Sequence, residues 1–435
     1  MPKLALYGGK PFRKEPFIEY NTIGPEEKEA AIQVLESGNL SQFLGSWHED
    51  FYGGPQVQGF EKLWTDTFGV KNAISVNSAT SGLYAAMGAI DIQPGDEVIV
   101  SPYTMTASAI CPVIWGGVPV FADINEDTFC LDPKSIEQKI SKRTKAIVVV
   151  HIFGHPADMD SIMDLAKRYG LYVIEDCAQA PLAKYKNEYV GKIGDIGIFS
   201  LNYHKHIHTG EGGMIISNND DLSEKLRLIR NHGEAVVGKK ATNGVNNIIG
   251  FNFRLTEIQA AIGIEQLKKA ENLVAKRIEN ANYLSERFSV FDGIVPPVVK
   301  EGCRHVFYRQ PFKFKMEKLG IHRDIYIKAV AAELPSVSSN KSMVSHVSCG
   351  YVEPLYLQPI YQRKETLCSF NCPRYKGVIN YDKGICPVTE RMHYEELFIN
   401  KCIYPSLKKT DLDVVFGAFE KVYDNLDELI NLSSD

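Results

Sequence analysis

The chain has 435 residues, of which 44% are hydrophobic, 10% aromatic and 23% charged. That composition is ordinary for a globular protein and leaves enough apolar mass for two or three domains. A net charge of −5 with no block of like charges argues against a nucleic-acid partner and against a membrane-binding face.

The first ten residues contain no apolar h-region, so no secretory signal is expected. The apolar run at 146–153 is far too short to span a membrane. Nine cysteines, an odd number, then point to reduced thiols in a cytoplasmic protein. Cys349, Cys368, Cys372 and Cys386 lack the spacing of a zinc knuckle pair and read as small core residues.

Between residues 71 and 217, short Val- and Ile-rich runs alternate with helical or loop segments. The runs at 73–76, 97–101, 118–122, 146–153, 171–175, 196–201 and 214–217 read as strands, several of them covered on both faces. Residues 81–90 and 159–169 read as helices. The alternation predicts an α/β domain on a mostly parallel, seven-stranded sheet. After residue 220 the period changes. Residues 221–231 and 255–288 carry apolar residues at helical spacing, the second long enough to connect two bodies. A strand-like piece at 305–314 and a final helix at 411–430 predict a smaller α+β domain. The expected division is therefore 1–285 and 286–435. Residues 336–384, with many Ser, Asn, Tyr and Pro, read as loops.

Three motifs carry chemistry. Asn77-Ser78-Ala79-Thr80-Ser81-Gly82 follows a strand and opens a helix. A helix start offers free N–H groups and the positive end of a dipole, so Ala79 and Thr80 suit a phosphate. Alternatively, Ser78 or Thr80 merely caps the helix. The strand at 171–175 runs into Glu175-Asp176-Cys177-Ala178-Gln179. Ligands in open α/β sheets gather at the carboxyl ends of strands, where Asp176 would keep a pyridine nitrogen protonated or simply cap the next segment. Third, Lys205 lies between Ser200 and the turn Thr209-Gly210-Glu211-Gly212-Gly213. A lysine there can form a Schiff base, although an isolated lysine is ordinarily a solvated surface residue. His204, His206 and His208 interleave with it. On extended backbone the three rings would share one face, with Lys205 on the other. With no acidic partner nearby they are read as lining a polar cleft, and no metal is expected.

In this order and spacing the motifs resemble the DegT/DnrJ/EryC1/StrS sugar aminotransferases, a branch of the fold-type-I enzymes that use pyridoxal 5′-phosphate (PLP). The resemblance runs from about residue 23 to 281 and resumes weakly beyond. It rests also on Glu97-Val98-Ile99-Val100 with Pro102-Tyr103-Thr104, His151-Ile152-Phe153-Gly154-His155-Pro156, Arg230-Asn231-His232-Gly233 and Gly250-Phe251-Asn252-Phe253-Arg254.

The resemblance implies that Lys205 carries PLP covalently and that Asp176 pairs with the pyridine nitrogen. It implies that Gln179 lies near the ring and its phenolic oxygen, and that Ala79, Thr80 and Ser200 hold the phosphate. Asn252 would reach that phosphate from the neighbouring subunit of a homodimer with shared sites. Met105 stands where the family often stacks an aromatic residue on the cofactor ring; a thioether can pack there instead. Segments 42–53 and 336–384 look longer than the family's and are expected to shape the substrate cleft. Within reach of such a cleft, Trp47, His48, His305 and Tyr308 are each more simply structural than substrate-binding. The implied activity moves an amino group from glutamate or glutamine to a keto-sugar in the making of an amino sugar for a surface polysaccharide or related glycan. The acceptor is nucleotide-linked or, alternatively, a free keto sugar acid such as an octulosonate. PLP-dependent sugar dehydratases of the same family carry His at the Schiff-base position, so the presence of Lys205 favours transamination. A Gly-x-Gly-x-x-Gly dinucleotide fingerprint is absent, as is a basic helix-turn-helix.

Overall fold

The computed structural model describes residues 3–238, 245, 247–335, 337–339, 342–364 and 368–433, with the backbone alone at 337–339, 342–344, 368, 432 and 433. All seven expected strands form: β1 Asn72–Val76, β2 Glu97–Val100, β3 Val118–Phe121, β4 Thr144–Val150, β5 Tyr172–Asp176, β6 Ile196–Ser200 and β7 Gly213–Ser217. They make one sheet in the order β1-β7-β6-β5-β4-β2-β3. From β6 to β3 every pairing is parallel; β7 alone runs antiparallel to both its neighbours.

The continuous apolar runs follow from burial on both faces. Ile196, Ile198 and Ile215 enter the core beneath Leu83 and Met87, whereas Phe199, Met214 and Ile216 enter the opposite one with Trp64 and Phe68. Helices supply both covers: α1 Pro25–Ser37, α2 Pro55–Phe68, α3 Ala79–Ala89, α4 Met159–Tyr169, α5 Asp220–Arg230 and α6 Glu257–Phe288. Each fully buried large apolar side chain here contributes roughly 1.5–3 kcal/mol.

Helix α6 starts at a capping box, Thr256 with Gln259, and links two cores. Ala270 and Val274 face the large sheet, while Ala281, Leu284 and Phe288 enter a second core. That core lies on a four-stranded antiparallel sheet of β8 Ile294–Val295, β9 Gln310–Phe314, β10 Val347–Cys349 and β11 Leu397–Asn400, in the order β8-β9-β11-β10. Helices α7 Arg323–Glu333 and α8 Lys409–Tyr423 cover it. Leu4 and Phe17 of the N-terminal segment belong to this second core.

The sequence expectation needs amendment in two places. The final helix is two helices, Lys409–Tyr423 and Leu426–Ser433. Between them the Asn425 side chain donates to the Lys421 carbonyl (2.7 Å) and competes with the helical ladder. Residues 336–384 are not only loops. They contain β10 and the helical turns Leu355–Leu357 and Pro359–Arg363, and Tyr356, Tyr361, Phe370 and Tyr381 pack on the large sheet around Phe121 of β3. No helix among the described residues is long and apolar enough to cross a membrane.

Candidate active site

The first motif caps a helix and leaves donors free. Ser78 Oγ accepts the Ser81 N–H (3.0 Å), and Ser81 Oγ donates to Asn77 Oδ1 (2.6 Å). Capping therefore falls to Ser78, and the N–H groups of Ala79 and Thr80 find no acceptor among the described residues. The strand beside them begins with Gly213, whose missing Cβ would lie 2.7 Å from Ala79 N. The turn is thus open to an anion and closed to a side chain.

Asp176 ends β5, buried at 4% exposure. Its Oδ2 accepts a hydrogen bond from Ser108 Oγ (2.6 Å) and its Oδ1 one from the Ala178 N–H (3.0 Å). Gln179, also buried, is held at both ends of its amide: Oε1 accepts the Phe153 N–H (2.8 Å) and Nε2 donates to Tyr351 Oη (3.1 Å). Phe153 makes that bond from a left-handed backbone, φ 56°. Tyr351 is anchored in turn, its N–H donating to Tyr103 Oη (2.9 Å). Burial pushes the Tyr351 phenol up; the neighbouring Tyr308 adds to this and Arg309 opposes it.

Strand β6 ends at Ser200, whose Oγ accepts the Asn202 N–H (3.3 Å). The chain then turns through residues 203–207 in bends, with the Lys205 N–H on the Asn202 carbonyl (2.9 Å) and the Leu201 N–H on that of Gly212 (2.9 Å). Lys205 is half-buried, and its Nζ stands 4.5 Å from the centroid of the Tyr308 ring. The segment is not extended, so the condition under which the three histidines would share one face, opposite the lysine, is not met. His204 is exposed, His206 buried and His208 half-buried. His204 and His206 border the same Tyr308 ring as Lys205, each at 6.1 Å. His206 Nε2 is spent on the Val306 carbonyl (2.9 Å).

Parallel pairing sets Asp176 beside Ile198, so Asp176 and Ser200 end adjacent strands on the same edge of the sheet. There an anion can sit at the start of α3, a protonated ring nitrogen can meet Asp176, and an electrophilic carbon can meet Lys205. The sequence pattern of the DegT/DnrJ/EryC1/StrS aminotransferase family matches residues 22–420. The chain belongs to that family. It is 32% identical over 423 residues to the spore coat polysaccharide biosynthesis protein SpsC of Bacillus subtilis, covering 95% of this chain and 99% of SpsC. It is 38% identical over 314 residues to the GDP-perosamine synthase of Caulobacter vibrioides, covering 72% of this chain and 80% of that protein. The fold superimposes on an aminotransferase from Psychrobacter cryohalolentis with a TM-score of 0.78 at 30% identity, over 95% of this chain and 100% of that one. As a member of the family the chain is an aminotransferase, and its fold is that of the PLP-dependent enzymes.

Among the remaining expected site residues, Met105 is 58% exposed just before the short helix Ala107–Ile110 that carries Ser108. Asn252 is exposed. Its carbonyl accepts from Asn77 Nδ2 (3.5 Å), and its Oδ1 accepts from Arg254 Nε (2.7 Å). Trp47 packs edge-on against Tyr52, His48 caps Glu49–Tyr52, and buried His305 stacks on Phe307 at 3.8 Å. Of the four, Tyr308 is the one that borders Lys205 within the chain.

Sequence reasoning missed Ser108, Tyr351 and Arg309, which have no local signature. One trio among the described residues, His151, Glu175 and Cys177, has the spacing of a metal site, but the lone pairs of its histidine and carboxylate are taken. His151 Nδ1 accepts the Ala157 N–H (3.0 Å), so Nε2 carries the proton it donates to Glu175 (3.0 Å). Glu175 also accepts the N–H groups of Gly191, Ile193 and Gly194. The trio holds the 191–194 loop. Of the four cysteines weighed for zinc, Cys372 and Cys386 are buried and Cys349 half-buried; the side chain of Cys368 lies outside the described residues.

Proposed function

We propose that this chain carries PLP on Lys205 and moves an amino group from glutamate, or glutamine, to a keto-sugar in the cytoplasm, working as a homodimer with shared sites. What carries the proposal is Lys205, beside Tyr308 on the sheet edge that also bears the Asp176 carboxylate and the unpartnered N–H groups of Ala79 and Thr80. Those groups fit the cofactor. The helix start would hold its phosphate with help from Ser200, Asp176 would hold its ring nitrogen, and Gln179 and the exposed Met105 would border the ring.

Bound there, PLP would supply an electron sink for the donor's Cα–H bond and a carrier for its nitrogen. The protein does the rest. The Lys205 amine would be the base that takes the proton from the donor's Cα and holds it for return. Ser108 and the Ala178 N–H fix the Asp176 carboxylate, which keeps the ring nitrogen protonated. The names of two relatives, a GDP-perosamine synthase and a spore coat polysaccharide protein, support a keto-sugar acceptor and an amino-sugar product.

The dimer is supported by one exposed face. Asn231 pairs with Asn252 and donates to the Leu44 carbonyl (2.8 Å). This gathers exposed Asn252 and Leu44 of the 42–53 segment where a second copy would reach the phosphate. To test the activity, the enzyme is converted to its pyridoxamine form with glutamate. Nucleotide-linked and free keto-sugars are then screened for return of the visible absorbance. A keto-sugar is expected to restore it; restoration by simple keto acids alone would refute the acceptor class, and Lys205→Ala should abolish both halves.

A further inference from the structure

Residues 13–24 form neither helix nor strand, so this segment has no backbone ladder and its side-chain anchors set its course. Glu333, fully buried at the end of α7, accepts the N–H groups of Ala5 (2.8 Å) and Phe12 (2.9 Å), and Arg13 pairs with Asp411 of α8 (2.9 Å). Phe17 enters the second core. Ile18 and Glu19 are exposed, and half-buried Tyr20 then turns in against Tyr404, their ring centroids 5.7 Å apart. The Tyr20 hydroxyl donates to the carbonyl of His206 (3.2 Å), the residue after Lys205. Two residues on, Thr22 Oγ1 donates to Gln266 Oε1 (2.9 Å), an oxygen that also accepts the His208 N–H (3.2 Å). The N-terminal segment is thus tied to the smaller domain at one end and to the Lys205 turn at the other.

That turn needs outside support. Residues 203–207 are bends rather than ladder, and among the described residues the His206 carbonyl accepts from no backbone N–H; its donor is Tyr20. The phenol is itself held. It is hydrogen-bonded to the Arg277 guanidinium of α6, which burial depresses and Tyr20 supports, and Arg277 Cζ lies 5.3 Å from the Tyr20 ring centroid. A hydroxyl that accepts from a cation is a stronger donor in turn, because hydrogen bonds in series polarise one another. A cation, a phenol and a peptide carbonyl therefore stand in series behind the lysine.

We propose that Tyr20 is a positioning residue for Lys205: its hydroxyl, brought across on the N-terminal segment, fixes the backbone after the lysine and so sets where the amine reaches. The proposal rests on the assignment of Lys205 as the cofactor-bearing amine. A lysine stem has four flexible carbons, so the place of its amine depends on how firmly its Cα is held. Proton transfer at a substrate carbon is steep in distance and angle, and a turn free to drift would lower the rate without weakening the binding of the donor.

The test compares PLP-loaded Tyr20→Phe with the unmodified protein. Phenylalanine keeps the ring against Tyr404 and Arg277 and removes only the hydroxyl, so the fold should stand. With glutamate and no acceptor, the limiting rate at which visible absorbance is lost should fall about three- to tenfold, the weight of one neutral hydrogen bond. The glutamate concentration that gives half this rate should stay within twofold. In the cofactor-free proteins, hydrogen exchange of the peptide spanning 203–209 should be faster in Tyr20→Phe, and that of β7 unchanged. An unchanged limiting rate, a change confined to the half-rate concentration, or equal exchange at 203–209 would overturn the positioning role. Absence of visible absorbance from the unmodified PLP-treated protein would instead overturn the Lys205 assignment, and the role of Tyr20 with it, even where exchange at 203–209 differs.

Discussion

Gly213→Ala tests the phosphate cradle through one added carbon. That Cβ would lie 2.6 Å from the Ser78 carbonyl carbon, 2.7 Å from Ala79 N and 2.8 Å from Ser78 O, where ordinary contact begins at 3.4 Å. All three are backbone atoms, so no rotamer relieves the overlap. Strand β7 is pinned by β1 and β6 on either side, which leaves the start of α3 to withdraw, by roughly 0.8 Å. A good N–H···O bond is about 2.7–3.2 Å long, so that displacement breaks the contacts of Ala79 and Thr80 with a phosphate. A hydrogen bond to a charged group is worth about 1.5–3 kcal/mol. Losing one predicts PLP binding weaker by about 10- to 100-fold. The assay is PLP titration of the cofactor-free protein, followed by visible absorbance, with circular dichroism to establish folding. A folded Gly213→Ala protein with unchanged affinity would refute the helix start as the phosphate site.

Two further predictions concern the frame around the site. Glu175→Gln leaves at least one of four donors without an acceptor in a fully buried place, and should cost about 2–4 kcal/mol; an unchanged melting temperature would contradict this. His155 is buried, its Nδ1 donating to the Pro156 carbonyl (2.6 Å) and its Nε2 accepting the Lys300 N–H (3.2 Å). Both nitrogens are satisfied only in the neutral ring, and burial holds His155 down at about 4 against an ordinary 6.5. The unfolded chain therefore binds the proton first, so stability is full above pH 6.5 and declines as pH falls toward 4, by about 3 kcal/mol from this group. Thermal melts across that range should show the fall, and His155→Gln should flatten it; an identical slope in the variant would contradict the assignment.

The sheet was readable because strands buried on both faces must be continuously apolar, and a run such as Ala146-Ile147-Val148-Val149-Val150 has few other uses in a chain that alternates with helices. The three candidate motifs could be picked out because each is local: a strand, a few chemically apt residues, a helix or turn. The side chains that orient them were not. Ser108 reaches Asp176 across 68 residues, and Tyr351 reaches Gln179 across 172, so neither has a neighbour in sequence to betray it. Alternation fixes a face only on extended backbone, and the 203–207 turn is bent, so the histidines there do not share one. The tyrosines of 336–384 suggested solvent, yet Tyr381 buries its ring and satisfies its hydroxyl on the Pro119 carbonyl (2.8 Å); a phenol suits a core whenever an acceptor is at hand.

The most direct measurement traps the amine. The PLP-loaded protein is reduced with sodium borohydride, digested and mapped by mass spectrometry. The expected result is a single modified peptide with the reduced cofactor on Lys205, and no modification once Lys205 is replaced by Ala. Label on another lysine, or none on a protein that binds PLP, would contradict the role given to Lys205.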